Sequence, residues 1–309
     1  GRFAVVKRCL DAKTKKPFVA KIIRYDDDTD RDDSLQEFDV HRSIKGDKVV
    51  MLRDAFLLRR YIVLVMDLLE GQDILSFIGA KPRPNEEDIC FVIRPLMDVV
   101  NYLHGQQIVH LDIRPANIFI AKSNLGLKLI DFGSARRIKN WKEGDMLAIV
   151  SYPAITAPEL LDFAPVSGGA DMWSIGILIY ALMSGALPFD VETKDDEDED
   201  EKITEAVKKG KWSFDSKAFS RATSEVKDFI TALLSIDAKK RPSAEEAMKL
   251  PWLSGDNMQK RRSSDVVSSK LKDLAKRLQE KDKEDVVSAS CVLRTFSEDP
   301  YDSPDSDEE

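Results

Sequence analysis

The stretch HLDIRPANIFIAKSNLGLKLIDFGSA, from His110 to Ala135, places two carboxylates and an amide around two apolar runs. Asp112 and Asn117 come first, and Asp131 follows beyond the second run. Phosphoryl transfer asks little covalent chemistry of a protein. It needs charge neutralised and the attacking and leaving oxygens held in line. One carboxylate can accept or orient the proton of an attacking hydroxyl. Oxygen donors can hold magnesium against the phosphates, because that ion prefers oxygen ligands. Asp112 fits the first task, and Asn117 and Asp131 fit the second.

A fold must bring these side chains together. The intervening run IFIAKSNLGLKLI reads as a β-hairpin whose turn, Ser123 to Gly126, folds Asp131 back beside Asn117. Upstream, FAVVKRCL and PFVAKIIRY are β-rich runs joined by the turn DAKTKK, and YIVLVMDLL reads as a buried strand. SLQEFDVHRSI has helical spacing, with Leu35, Phe38 and Ile44 apolar. From residue 86 the pattern turns helical. NEEDICFVIRPLMDVVNYLHGQQ opens on Asn85 as an N-cap with acids in its first turn. Pro95 inside it predicts a bend or a register break. GADMWSIGILIYALMSG is apolar on nearly every face, which predicts a buried helix. TSEVKDFITALLSI and SAEEAMKLPWL complete a helical lobe. The expected layout is a β-rich lobe over 1–66, a hinge over 67–73, an α-helical lobe over 74–253 and a polar tail over 254–309.

Composition narrows the class. At 309 residues and 43% hydrophobic, the chain can build a core without disulfides. Cys9, Cys90 and Cys291 are far apart and form no CxxC pair, so they read as reduced, intracellular thiols. No apolar run is long enough for a membrane span, and no signal peptide is visible. The net charge of −8 is concentrated in the run Asp195 to Glu201 and in the closing DSPDSDEE. These blocks read as an exposed loop and a solvated tail. No basic stripe suited to nucleic acid is present. The chain opens on Gly1 rather than Met, which reads as a piece of a longer protein.

Through the Asp112/Asn117 loop and the Asp131-Phe132-Gly133 motif, the chain resembles the eukaryotic protein kinases. The resemblance implies an α+β, bilobal protein kinase fold over residues 1–253, using ATP and Mg2+ on protein substrates. FVAK supplies Lys21 as the phosphate-binding lysine, and Glu37 sits where its ion-pair partner belongs. APEL, DMWSIG and KKRPSA imply that Glu159 pairs with Arg241 and that Asp171 braces the catalytic loop. GRFAVV looks like a Gly-rich loop entered at its second glycine, with Ala4 at the third glycine position. The implied nucleotide pocket takes Gly1, Val6, Val19, Asp67, Leu69, Asp73, Phe119 and Ile130, with Met66 as gatekeeper. SGALPF, WSFDSKAF and KDFITALLSIDAKKRPSAEEAMKLPWL are similar to the calmodulin-kinase-like branch, in particular the myosin light chain, titin and obscurin kinases. HLDIRPANI resembles the titin-type form, and the whole is identified as an obscurin-type muscle kinase domain.

Departures carry consequences. Arg114 stands where most serine/threonine kinases have a lysine on the γ-phosphate. It keeps the charge but presents a planar fork. Leu111 replaces the arginine that normally pairs with an activation-loop phosphate, so phosphorylation between Arg136 and Val150 is not expected to be the main switch. Tyr152 takes the place of a threonine near the catalytic aspartate, where a phenol is expected to lean on Asp112.

The tail carries Val267, Leu271, Leu274 and Leu278 at helical spacing, with Lys270, Lys272, Lys276 and Arg277 around them and KRR at 260–262 before them. This predicts a basic amphipathic helix within 264–280. Three readings stay open for it: autoinhibition, binding of calmodulin or another tail-binding protein, and a solvated helix packed weakly on the α lobe. The aromatic anchor of a strong calmodulin target is missing, since no Trp or Phe occurs from 254 to 295. The expected activity is a serine/threonine protein kinase, cytoplasmic and, on the titin and obscurin resemblance, sarcomeric. The alternative is a pseudokinase scaffold, for which Leu111, Arg114 and Tyr152 argue.

Overall fold

The structure, a computed structural model, describes residues 4–26, 28–147, 152–189, 199–214, 217–255, 261, 266 and 268–294. Gly1 of the expected nucleotide pocket, Val267 of the tail and residues 148–150 of the activation loop lie outside the described residues. A four-stranded antiparallel sheet forms the N-terminal part, in the order β1 (Ala4–Leu10), β2 (Pro17–Arg24), β4 (Tyr61–Asp67), β3 (Leu52–Leu57). The turn between β1 and β2 is organised by Asp11. Its carboxylate accepts from the backbone N–H groups of Lys13 and Thr14, at 3.1 and 2.6 Å, and from the Thr14 hydroxyl at 2.8 Å. One helix, α1 (Asp28–Ser43), crosses the sheet. Leu35 and Phe38 of α1 pack on the small core of Ile23, Ile62 and Leu64.

Five short strands follow at the connection to the helical part. β5 (Gly71–Asp73) pairs with β7 (Ile118–Ala121), and β7 with β8 (Leu127–Leu129); β6 (Ile108–Val109) pairs with β9 (Arg136–Arg137). A Cβ on Gly71 would lie 2.0 Å from the Ile120 carbonyl oxygen, so only glycine lets β5 approach β7 this closely.

The helical part begins with α2 (Ile74–Gly79) and α3 (Glu86–Gly105). Asn85 caps α3 as expected and reciprocally. Its side chain accepts from the N–H groups of Glu87 and Asp88, and Asp88 accepts from the Asn85 N–H. The helix runs through Pro95 without interruption. Ile89, Ile93, Leu96, Met97 and Val100 are fully buried along it, and that packing outweighs the one hydrogen bond the proline removes. After α4 (Pro158–Leu161) comes α5 (Gly169–Ser184), buried along almost its whole length and ended by Gly185 at φ 70.

Two expectations are corrected, on the acidic run and on the tail helix. The acidic run is not wholly a loop: Glu199, Asp200 and Glu201 form the first turn of α6 (Glu199–Lys209), where negative charge suits the helix N-terminus. Residues 195–198 of that run lie outside the described residues. Beyond α7 (Ser224–Leu233), the segment SAEEAMKLPWL is two helices, α8 (Ala244–Met248) and α9 (Pro251–Ser254). Leu250 is extended between them because the following proline disfavours the helical region. The tail helix, α10 (Ser268–Arg294), starts later and runs further than 264–280. Leu271, Leu274 and Ala275 bury one face of it against α2 and α5. No helix among the described residues is long and apolar enough to cross a membrane.

Candidate active site

The loop that carries Asp112 is strained and braced. Leu111 has φ 62 and Asp131 has φ 60, a left-handed conformation that costs a non-glycine residue about 1 kcal/mol or more. The fully buried Asp171 of α5 holds it: its carboxylate accepts from the N–H groups of His110 and Leu111, at 2.9 and 2.8 Å, and lies 2.9 Å from His104 Nε2. Burial pushes this carboxyl up, but the His104 hydrogen bond, charge from both histidines and the His110 N–H outweigh it and hold the group ionised.

The hairpin forms as expected. Ile118 faces Leu129 across the β7–β8 ladder, and the Ile130 N–H donates to the Asn117 carbonyl at 2.9 Å, so Asp131 follows directly beside Asn117. The Asn117 amide donates to the Asp112 carbonyl at 2.9 Å and to its carboxylate at 2.6 Å. Burial raises the Asp112 carboxyl above its ordinary range, against the opposing charge of Arg114. A raised pKa makes the carboxylate a better proton acceptor.

Lys21 of β2 lies at the centre. Its ammonium is 2.7 Å from Glu37 of α1 and 2.7 Å from Asp131. Burial alone would lower the Lys21 pKa; the two carboxylates overcome this and raise it. Enclosure by protein likewise opposes the charge on Asp131, but Lys21 and the Gly133 N–H bring it down to about 2. A Cβ on Gly133 would stand 3.2 Å from both Asp131 Oδ1 and Lys21 Nζ, so glycine keeps this junction open.

The other residues expected of the nucleotide pocket are placed as follows. Val19 faces Met66 across the β2–β4 ladder, and Phe119 faces Asp73 across β5–β7. Val6 on β1 is exposed, and Leu69 and Ile130 are half-buried against the main core. The Asp67 carboxylate is engaged by Arg53 at 2.6 and 2.7 Å, and its N–H donates to Met51. The Asp73 carboxylate caps α2 through the Ser76 N–H and hydroxyl. Asp67 and Asp73 therefore use their side chains on the fold. The oxygen donors of Asn117 and Asp131 suit magnesium. That ion typically takes one or two protein carboxylates and completes its shell with phosphate and water. Among the described residues, no group of three or more His, Cys, Asp or Glu that could hold a metal ion is gathered.

Residues 1–253 match the protein kinase domain. The chain belongs to the protein kinase family. It is 33% identical over 269 residues to death-associated protein kinase 2 of Homo sapiens, covering 84% of this chain and 70% of that protein. It is 32% identical to smooth muscle myosin light chain kinase of Gallus gallus, covering 85% of this chain but 14% of that protein. The structure is similar to the autoinhibited serine kinase domain of the giant muscle protein titin. The TM-score is 0.78 at 29% identity, covering 89% of this chain and 83% of that one.

Within this kinase domain, Glu159 and Arg241 form a buried two-pronged pair at 2.8 and 2.9 Å. Arg114 Nε lies 3.5 Å from the Asp112 carboxylate. The expectation that Tyr152 leans on Asp112 is overturned. The Tyr152 hydroxyl is instead 3.0 Å from Nζ of Lys281, because α10 continues past residue 280 and carries that lysine across. Three residues were not singled out from sequence. His41 sits one turn after Glu37, bonds to the Val50 carbonyl at 2.8 Å and packs its ring 4.9 Å from Phe132, which packs 5.1 Å from His110. Its spacing from Glu37 was the available signal. Arg261, inside KRR, is buried against the carbonyls of Trp252 and Gly255 and the Cys90 sulfur rather than solvated. Lys281 continues the Leu274–Leu278 face of α10 by three residues.

Proposed function

We propose that this kinase domain transfers the γ-phosphate of ATP to serine and threonine hydroxyls of proteins. The observation that carries the reading is the junction of Lys21 with Glu37 and Asp131, 2.7 Å to each. It puts the phosphate-binding cation and an ionised magnesium ligand in one place. When bound, ATP and Mg2+ would supply the phosphoryl group and positive charge to neutralise it. Lys21, fixed by Glu37, would hold phosphate oxygens, Asn117 and Asp131 would hold the metal, and Asp112 would orient the substrate hydroxyl and take its proton. Arg114 is the cation of this loop that would support the γ-phosphate on leaving its 3.5 Å approach to the Asp112 carboxylate.

The docked α10 makes the chain tail-regulated in this reading. The titin relative, whose kinase domain is described as autoinhibited, supports the same arrangement. The apolar face of α10 is already committed to α2 and α5 and lacks an aromatic anchor, which weighs against tight calmodulin capture. The titin and myosin light chain kinase relatives support placement in a muscle filament protein of the cytoplasm. A second reading, a scaffold with weak or no transfer, is favoured by Arg114, whose guanidinium approaches Asp112. Incubation with Mg-ATP and a peptide bearing both serine and tyrosine separates them. Phosphate should appear on serine, and vanish with EDTA or with Asp131→Ala. Label equal to that blank supports the scaffold.

A further inference from the structure

Trp141 lies outside the site described above, yet three contacts connect it to the catalytic loop. Its ring stands edge-on to the His104 ring, with centroids 5.3 Å apart at 61°. His104 Nε2 lies 2.9 Å from the Asp171 carboxylate, and that carboxylate accepts from the N–H groups of His110 and Leu111, directly before Asp112. The outer torsion of a histidine is broad, so packing around the ring decides how firmly its nitrogen stays on Asp171. Trp141 is one wall of that packing. Gly168, just before α5, is the other: a Cβ there would lie 2.9 Å from His104 Nδ1 and Cε1 and 3.0 Å from Trp141 Cζ2. With φ −54, Gly168 has a conformation open to any residue, so glycine is required here for space alone. The segment 139–145 carries the tryptophan to this point. The Asp145 carboxylate accepts from the N–H groups of Lys139 and Asn140, at 2.7 and 3.1 Å, and the Asn140 carbonyl accepts from the Gly144 N–H at 2.8 Å. The backbone of Asp145 then exchanges two hydrogen bonds with Val166, at 2.9 and 3.0 Å. Gly144, at φ 82, lets the two chains pass, since a Cβ there would lie 2.8 Å from the Val166 carbonyl oxygen. The segment is thus clipped to the chain two residues ahead of Gly168.

We propose that Trp141 is a positioning residue for phosphoryl transfer: clipped beside α5, it holds the His104 ring on Asp171 and thereby fixes the backbone that presents Asp112. The inference rests on the kinase reading for its effect on rate, but its effect on the loop is read without catalysis. Trp141 acts through His104 and Asp171, so it governs the transfer step rather than ATP affinity. The left-handed backbone of Leu111, φ 62, is the strain that such a brace holds in place.

The test compares the full wild-type chain with Trp141→Ala and Trp141→Phe. Amide hydrogen exchange, resolved by residue, reads the brace. Trp141→Ala should speed exchange at His110 and Leu111 about fivefold, the scale of a lost edge-on aromatic contact, while the buried centres of α3 and α5 stay protected. Trp141→Phe keeps an aromatic edge and should exchange like the wild type. With a serine peptide, Trp141→Ala should lower kcat about tenfold with KM for ATP unchanged, as for a positioning loss, and Trp141→Phe should restore most of it. In a His104→Gln chain, which has no ring to hold, Trp141→Ala should slow transfer further by about twofold or less, because the two residues act as one unit. Faster exchange at His110 and Leu111 in chains that all fail to transfer phosphate sinks the kinase reading and keeps the brace. Unchanged exchange at those amides, an unchanged kcat, a fall in rate that persists in full in the His104→Gln chain, or loss of protection throughout α3 and α5 overturns the proposal and leaves the kinase reading standing.

Discussion

Lys21 links three parts of the chain: strand β2, helix α1 through Glu37 and the hairpin end through Asp131. Lys21→Met keeps the aliphatic stem and removes the charge. Affinity for Mg-ATP should fall about 10- to 100-fold, as for loss of a charge-assisted hydrogen bond. Glu37, 2% exposed, would lose its ammonium partner, so stability should also drop by about 3 kcal/mol. Nucleotide titration and urea denaturation of the variant check both. His41 sets a different signature. Burial holds its proton affinity below the ordinary value of 6.5. As pH falls through 6.5, the unfolded chain takes up that proton first, so the folded state loses stability. The loss approaches about 1.4 kcal/mol per pH unit at most. The urea midpoint of the wild type should fall between pH 7.5 and 5.5, and His41→Leu should fall less. Equal slopes would mean His41 is not the buried base described. Asp112, Asn117, Asp131, Lys21 and Glu37 were legible as chemistry because their types and order are specific. Lys281 and Tyr152 were not legible as partners, since they lie 129 residues apart and nothing local links them.

At the scale of elements, the tail helix is held by few residues. Gly185, at φ 70, comes so close to α10 that an added Cβ would lie 2.4 Å from that of Lys270, and Leu271 and Leu274 are buried. A charge at either leucine cannot be accommodated there. Leu271→Asp with Leu274→Asp should therefore expose the α10 amides to hydrogen exchange while those of α3 and α5 stay protected. Loss of protection throughout the chain would show that α10 is part of the cooperative core instead. The elements that sequence patterns revealed were those with a strong period or a strong cap: α3 with Asn85, α5 with its continuous apolar run, and the β7–β8 hairpin. β3 was missed because LRDAFL mixes charge with apolar residues and is only partly buried along its length. β5, β6 and β9 are two or three residues long, and pairing partners rather than composition define them. The length of α10 was underestimated because the charged run KDKED at 281–285 interrupts the apolar face that Leu271, Leu274 and Leu278 set up.

In the whole molecule, the small sheet and the hairpin meet at the Lys21–Asp131 pair, and the tail packs on the helical lobe and reaches Tyr152 through Lys281. The account makes Lys21 and Asp131 the means of transfer and the docked tail its regulator. Phosphate transfer from Mg-ATP to a lysine-containing serine peptide, compared between the wild-type chain and the Leu271→Asp/Leu274→Asp chain, tests this most directly. Each is measured with and without Asp131→Ala. The account predicts slow transfer by the wild type, at least tenfold higher kcat/KM once the tail is released, on the scale of positioning effects, and none with Asp131→Ala in either background. Transfer by the released chain that stays at the Asp131→Ala level would contradict it, and this fold would then be acting as a scaffold.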